Sequence, residues 1–133
     1  MQLSIGAQET LRVKAHEKRS GHPILEVVIG ECYRFAVPEG QTWKDFFGLI
    51  TCGPEGFSYR LFRKHLRVPS KPYFYLCGLV DDGTDVHTFA IGKQPLHGWK
   101  APATGKLYLF ANDVPGFYWN NRGEMIVIVE RLG

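Results

Sequence analysis

With 133 residues the chain has room for one hydrophobic core, which excludes separate catalytic and regulatory domains. A composition of 44% hydrophobic and 22% charged residues excludes a disordered tail and a coiled coil. Lys and Arg number 16 against 13 Asp and Glu, and the resulting charge of +3 is too mild to require a nucleic-acid partner on its own. In chain order, Leu11 and Val13 alternate with Arg12 and Lys14, and Tyr33, Phe35 and Val37 alternate with Cys32, Arg34 and Ala36. A period of two marks half-buried strands. Residues 42–47 are the one stretch that could be helical, with Thr42 as a cap, but they are too few to stand alone and read as a turn. Phe57, Tyr59 and Leu61 alternate again with Ser58 and Arg60. Runs 73–80, 107–111 and 125–129 are apolar on both faces and read as central strands covered on both sides.

Gly and Pro signals separate these runs, at Pro38-Glu39-Gly40, Cys52-Gly53-Pro54-Glu55-Gly56, Asp81-Asp82-Gly83, residues 102–105 and Asn120-Asn121-Arg122-Gly123. Eight to ten short strands are expected. A single open sheet of that many strands would leave long unpaired edges, so the expected fold is all-β, a two-sheet antiparallel jelly-roll sandwich forming one domain over residues 1–133.

The segment from Asn112 to Gly123 concentrates hard oxygen donors between two apolar runs. Calcium takes six to eight oxygens from carboxylates, amides, backbone carbonyls and water, and one Asp with two adjacent Asn, bent by Pro115-Gly116, can turn several of them to one point. With one carboxylate the set is short of negative charge, so affinity should be modest and an outside oxygen ligand could complete the shell. Residue types alone also read Asn-Asn-Arg-Gly as a hairpin turn, because Asn and Gly tolerate positive φ.

Leu107-Tyr108-Leu109-Phe110-Ala111, Asn112-Asp113-Val114-Pro115-Gly116, Tyr118, Asn120-Asn121 and the alternating run 125–129 together resemble the C-terminal part of the calcium-dependent bacterial galactophilic lectins, the lectin A family, and related galactose-binding-like domains. Residues 30–37, Trp43-Lys44-Asp45-Phe46 and Cys77-Gly78-Leu79-Val80 resemble earlier family segments more thinly. The resemblance implies that Asp113, Asn120 and Asn121 bind Ca2+ through side chains and that Phe117 and Phe46 add main-chain carbonyls. It also implies that a sugar completes the calcium shell with two neighbouring hydroxyls while Asp113, Val114 and Asn120 hydrogen-bond it. His65 stands where the family places a sugar-pocket His, whereas Val68 stands where the family has Gln and Trp119 where the residue is usually small. The expected specificity follows from these departures. Free galactose should bind weakly and an extended or anionic oligosaccharide more strongly, with His65 and Trp119 as further sugar contacts.

Other constellations are weaker. Arg60, Arg63, Lys64, Arg67 and Lys71 ahead of Tyr73, Phe74 and Tyr75 could hold an anionic glycan or a nucleic acid, or could be a solvated surface whose aromatics point inward; nucleic acid is not the expected partner. Asp81, Asp82 and Asp85 around Gly83 read as a hairpin turn. Five scattered His residues without a nucleophile elbow, a zinc-protease helix or a phosphate loop argue against an enzyme. Cys32, Cys52 and Cys77 are three widely spaced thiols, matching neither a disulfide framework nor a zinc knuckle. No run approaches the ~18 apolar residues of a membrane helix, and residues 1–14 lack the features of a signal peptide, so the expectation is a soluble chain, cytoplasmic by default or exported by a non-classical route. The expected function is calcium-dependent carbohydrate binding by a dimer or tetramer, in which pairing covers edge strands and adds avidity. The alternative is a metal-free protein-interaction or oligomerisation domain.

Overall fold

A computed structural model describes residues 1–133. Eleven strands follow one another: β1 (Gln8–Lys14), β2 (Ser20–Val27), β3 (Cys32–Ala36), β4 (Trp43–Asp45), β5 (Ile50–Cys52), β6 (Glu55–Phe57), β7 (Tyr73–Asp81), β8 (Val86–Ala90), β9 (Leu96–Lys100), β10 (Gly105–Ala111) and β11 (Glu124–Arg131). All pairings are antiparallel. The main sheet runs in the order β6-β7-β10-β2-β1-β11-β3-β9, with β8 also on β7, and β4-β5 form a separate small sheet. Between β1 and β2 only Arg12 and His22 pair, so the sheet folds over there into two layers. Leu11, Val13, Phe35, Met125 and Val127 from one layer meet Leu25, Leu76, Val80, Leu107 and Leu109 from the other in one core. This is the expected all-β antiparallel sandwich, with its layers continuous through one corner.

The alternating strands at Leu11/Val13 and Tyr33/Phe35 have the expected half-buried form. β7 and β10 are covered on both sides, because Cys77, Leu79 and Phe110 form a second apolar cluster on the outer face, closed over by Val68. The Arg67 guanidinium lies 3.7 Å from the Phe110 ring centre on the same face. Three expectations need correction. The run 125–129 is not covered on both sides: Met125, Val127 and Val129 are buried while Ile126 and Ile128 are half-buried, shaded by their neighbours β1 and β3 with no layer over them. The alternation at 57–61 does not make a strand, since β6 ends at Phe57 and Tyr59 and Leu61 project from a loop. Eleven strands replace eight to ten, because β4, β5 and β6 are only three residues each, too short to show a period. Residues 42–47 are in part β4, followed by a 3-10 turn at Phe46–Gly48.

Of the three thiols, which form no disulfide, Cys77 is buried and the other two half-buried. Asp81, Asp82 and Asp85 form the β7–β8 turn, in which the Asp82 carboxylate accepts from the backbone N–H groups of Thr84 and Asp85 and meets His87 at 2.8 Å. No helix is long and apolar enough to cross a membrane.

Candidate metal and ligand site

The segment between β10 and β11 is fixed at its start by Asn112, which is fully buried. Its Oδ1 accepts from the Val68 N–H at 3.0 Å, and its Nδ2 donates to the carbonyls of Val68, Lys71 and Pro72 at 2.9, 3.1 and 3.0 Å. Asn112 is therefore spent on holding the 66–72 loop across the sheet, leaving the following residues to form a site. Asp113 is 1% exposed; one of its oxygens accepts from the Val114 N–H at 2.7 Å and the other from Asn121 Nδ2 at 3.0 Å. Asn121 Nδ2 also donates to the Ala15 carbonyl at 2.9 Å, tying the site to the end of β1. A 3-10 turn at Pro115–Asn120 then carries Phe117, Trp119 and Asn120 around the mouth of a cavity.

The opposite wall comes from β4. Lys44 and Arg122 exchange both backbone hydrogen bonds, each 2.8 Å, and this pairing places Asp45 beside the Asn120-Asn121 turn. A side chain at Gly123, where φ is +91°, would press its Cβ to 3.3 Å from Trp43 Cα, so the close approach of β4 uses a glycine there. Along β4, Trp43 and Asp45 face inward and Lys44 outward. The alternation that buries Trp43 in the core turns Asp45 into the cavity.

The cavity is about 310 Å³, with Asp45, Asp113 and Asn120 as its polar lining and Phe46, Tyr59, Phe62, Tyr73, Phe117 and Trp119 as aromatic walls. No basic side chain pairs with either carboxylate. Burial pushes Asp113 up to about 6, with the neighbouring Asp45 charge adding to the effect and hydrogen bonds from Asn121 and Val114 opposing it. Burial also raises Asp45, against one hydrogen bond from the Phe46 N–H. Asn120 Oδ1 and Asn121 Oδ1 are buried without any hydrogen-bond partner. Buried polar atoms in folded proteins are nearly always paired, so two orphan amide oxygens next to two carboxylates without a basic partner leave unused acceptor capacity at one place. Phe46 and Phe62, which line the cavity, have left-handed φ of 48° and 61°, and the adjacent Phe47 and the core residue Phe74 are left-handed too.

A solved structure, the EclA N-terminal domain, a PllA-like lectin, matches 93% of this chain and 94% of its own length with a TM-score of 0.61 at 20% identity. The fold is lectin-like. No protein-family model matches the chain, and no curated protein matches it in sequence.

Of the residues that the family resemblance implies, Asp113, Asn120, Phe46 and Phe117 line this cavity, and Asn121, which is not among its lining residues, is bonded to Asp113. Phe46 already accepts one hydrogen bond at its carbonyl, from the Leu49 N–H at 3.1 Å. Val114 is half-buried and its N–H is taken by Asp113. Trp119 is 66% exposed and meets the Phe47 ring edge-on at 5.2 Å. His65 is exposed on the Arg63–His65 turn, in a neighbouring depression with Arg60 and Lys64 that shares the Phe62 wall. Of the aromatics after the basic cluster, Tyr73 and Phe74 are buried and Tyr75 half-buried. Asp45, Tyr59 and Phe62 escaped the sequence reading. The one available signal was Asp45 at an inward position of a strand beginning with Trp43, where an unpaired carboxylate is costly.

Proposed function

We propose that this chain is a calcium-dependent carbohydrate-binding module whose site is the cavity floored by Asp113 and Asn120. The observation that carries the proposal is the pair of partnerless amide oxygens, Asn120 Oδ1 and Asn121 Oδ1, beside carboxylates that lack a basic partner. Hard oxygens of mixed type on an irregular loop suit calcium better than magnesium, which demands near-octahedral geometry. Asp113, Asn120 and Asn121 would hold the ion by side chains, and Phe46 and Phe117 would add main-chain carbonyls. When bound, calcium would supply a charge that holds two neighbouring sugar hydroxyls more firmly than neutral hydrogen bonds do. Aromatic walls suit the apolar face of a sugar ring, and the lectin-like fold agrees with this reading.

The specificity reading follows from the walls. Val68 packs on the outer cluster and offers the cavity no polar side chain. Phe62 leads from the cavity to the basic turn around Arg60, Lys64 and His65, giving an anionic or extended glycan a path. Calcium at millimolar concentration should raise the melting temperature, and a chelator should reverse the rise. On a glycan array, chelator-sensitive signals should favour extended or anionic oligosaccharides over free galactose, and Trp119→Ala should weaken the oligosaccharide far more than calcium. No calcium response in both calorimetry and thermal shift would remove this reading.

Pairing of copies is part of the same proposal, since a shallow site gains avidity from neighbours. The β8 edge, five residues with Val86 46% exposed, is one open place for it, and β9 at the far end of the sheet order is another. Light scattering at tens of micromolar should give the mass of a dimer or tetramer, and a strictly monomeric mass would exclude it.

A further inference from the structure

We propose that Asp45 is a second carboxylate ligand of the cation, so that two formal negative charges meet one divalent ion. The inference rests on the calcium-dependent reading above and adds a ligand that the family resemblance does not supply. Asp45 is 4% exposed, lines the same cavity as Asp113, and has a single hydrogen-bond partner, the Phe46 N–H at 2.7 Å. That bond caps the 3-10 turn at Phe46–Gly48, but a cap needs only a neutral oxygen such as that of Ser or Asn. A charged group in this position is costly. An isolated carboxylate out of water destabilises the fold or gives up its charge, and a second carboxylate nearby increases the cost. The arrangement makes chemical sense when a cation lies between them. Beside the two carboxylates, two buried amide oxygens have no partner: Asn120 Oδ1, on a residue that lines the cavity, and Asn121 Oδ1, whose side chain is 1% exposed and donates from Nδ2 to Asp113. An amide held by its nitrogen with its oxygen left bare is placed to offer that oxygen to an ion.

The role also accounts for why β4 is where it is. Its reciprocal bonds between Lys44 and Arg122 carry Asp45 to the turn that holds Asn120 and Asn121. With Asp45 included, the shortage of negative charge expected for a one-carboxylate loop disappears, and affinity should be correspondingly higher.

The test is a titration of the intact chain with Ca2+ and, separately, with Tb3+, whose luminescence nearby Tyr and Trp side chains can sensitise. Asp45→Asn keeps an oxygen for the Phe46 N–H and removes only the charge. It should weaken Ca2+ at least roughly tenfold and weaken Tb3+ by a larger factor, because a lost charge costs a trivalent ion more than a divalent one. In chelator the variant should melt no lower than the wild type. Equal losses for the two ions, or Ca2+ affinity within twofold of wild type while Asp113→Asn abolishes binding, would overturn the role of Asp45 and leave the calcium site standing. A wild-type protein that binds neither ion would overturn the calcium reading itself.

Discussion

Asp113→Asn is expected to move stability in opposite directions with and without calcium. In the free protein the folded chain holds Asp113 near 6 against an ordinary value of 3.8, so between these pH values the native state binds a proton that the unfolded state has released. Stability from this group is therefore full below about pH 4 and falls as pH rises to 6, a loss on the order of 3 kcal/mol by pH 7. Asp82, held at about 2 by its turn and by His87, acts in the opposite sense but below pH 4. The wild type in chelator should thus melt higher at pH 5 than at pH 7.5, and Asp113→Asn should flatten that difference. At pH 7.5 the variant should gain about 1–2 kcal/mol, after the loss of about 1 kcal/mol for the hydrogen bond from Asn121. Calcium should then stabilise the wild type and leave the variant unchanged. Affinity should fall by more than roughly 100-fold, beyond the effect of Asn120→Ala or Asn121→Ala, because a charge is lost as well as an oxygen. A wild type whose chelated melting temperature rises from pH 5 to 7.5 would contradict this account.

Asn112→Ala should be as damaging to the fold as truncating a large side chain of the core. It deletes four hydrogen bonds at a fully buried position and leaves the Val68 N–H and three carbonyls without their partner. Stranded buried groups cost about 1–3 kcal/mol each when water cannot reach them, and the loop will admit water to some, so a total loss of roughly 3–5 kcal/mol is expected from urea unfolding. Asn112→Asp should do little better, since it restores the acceptor and none of the three donations. A loss below about 1 kcal/mol would mean that the loop is held by its apolar cluster alone.

The two-residue period made the strands around Leu11 and Phe35 legible because one face of each meets the core and the other meets water. Asp113, Asn120 and Asn121 were legible because a contiguous loop carries them. Asp45 was not, since its place depends on a backbone pairing between Lys44 and Arg122 that local pattern does not encode. The alternation at Phe57, Tyr59 and Leu61 misled for a related reason: aromatic residues spaced like a strand here project from a loop, with Tyr59 lining the cavity. Asn112 read as one oxygen donor among several, whereas its amide is consumed by the 66–72 loop, a partner only the folded chain brings near. At 125–129 a doubly apolar composition suggested cover on both faces, but half-burial by adjacent strands is enough to tolerate Ile126 and Ile128.

The left-handed phenylalanines set durability against recognition. Phe47 and Phe62 are 59% and 52% exposed, so packing returns little for a backbone conformation that costs a non-glycine residue about 1–2 kcal/mol. Glycine would adopt the same φ without strain. Selection for heat resistance alone would therefore drift toward glycine at both positions, stripping one aromatic from the cavity wall and another from beneath Trp119. A laboratory lineage evolved only to survive heating would arrive at a sturdier sandwich with a blunted mouth.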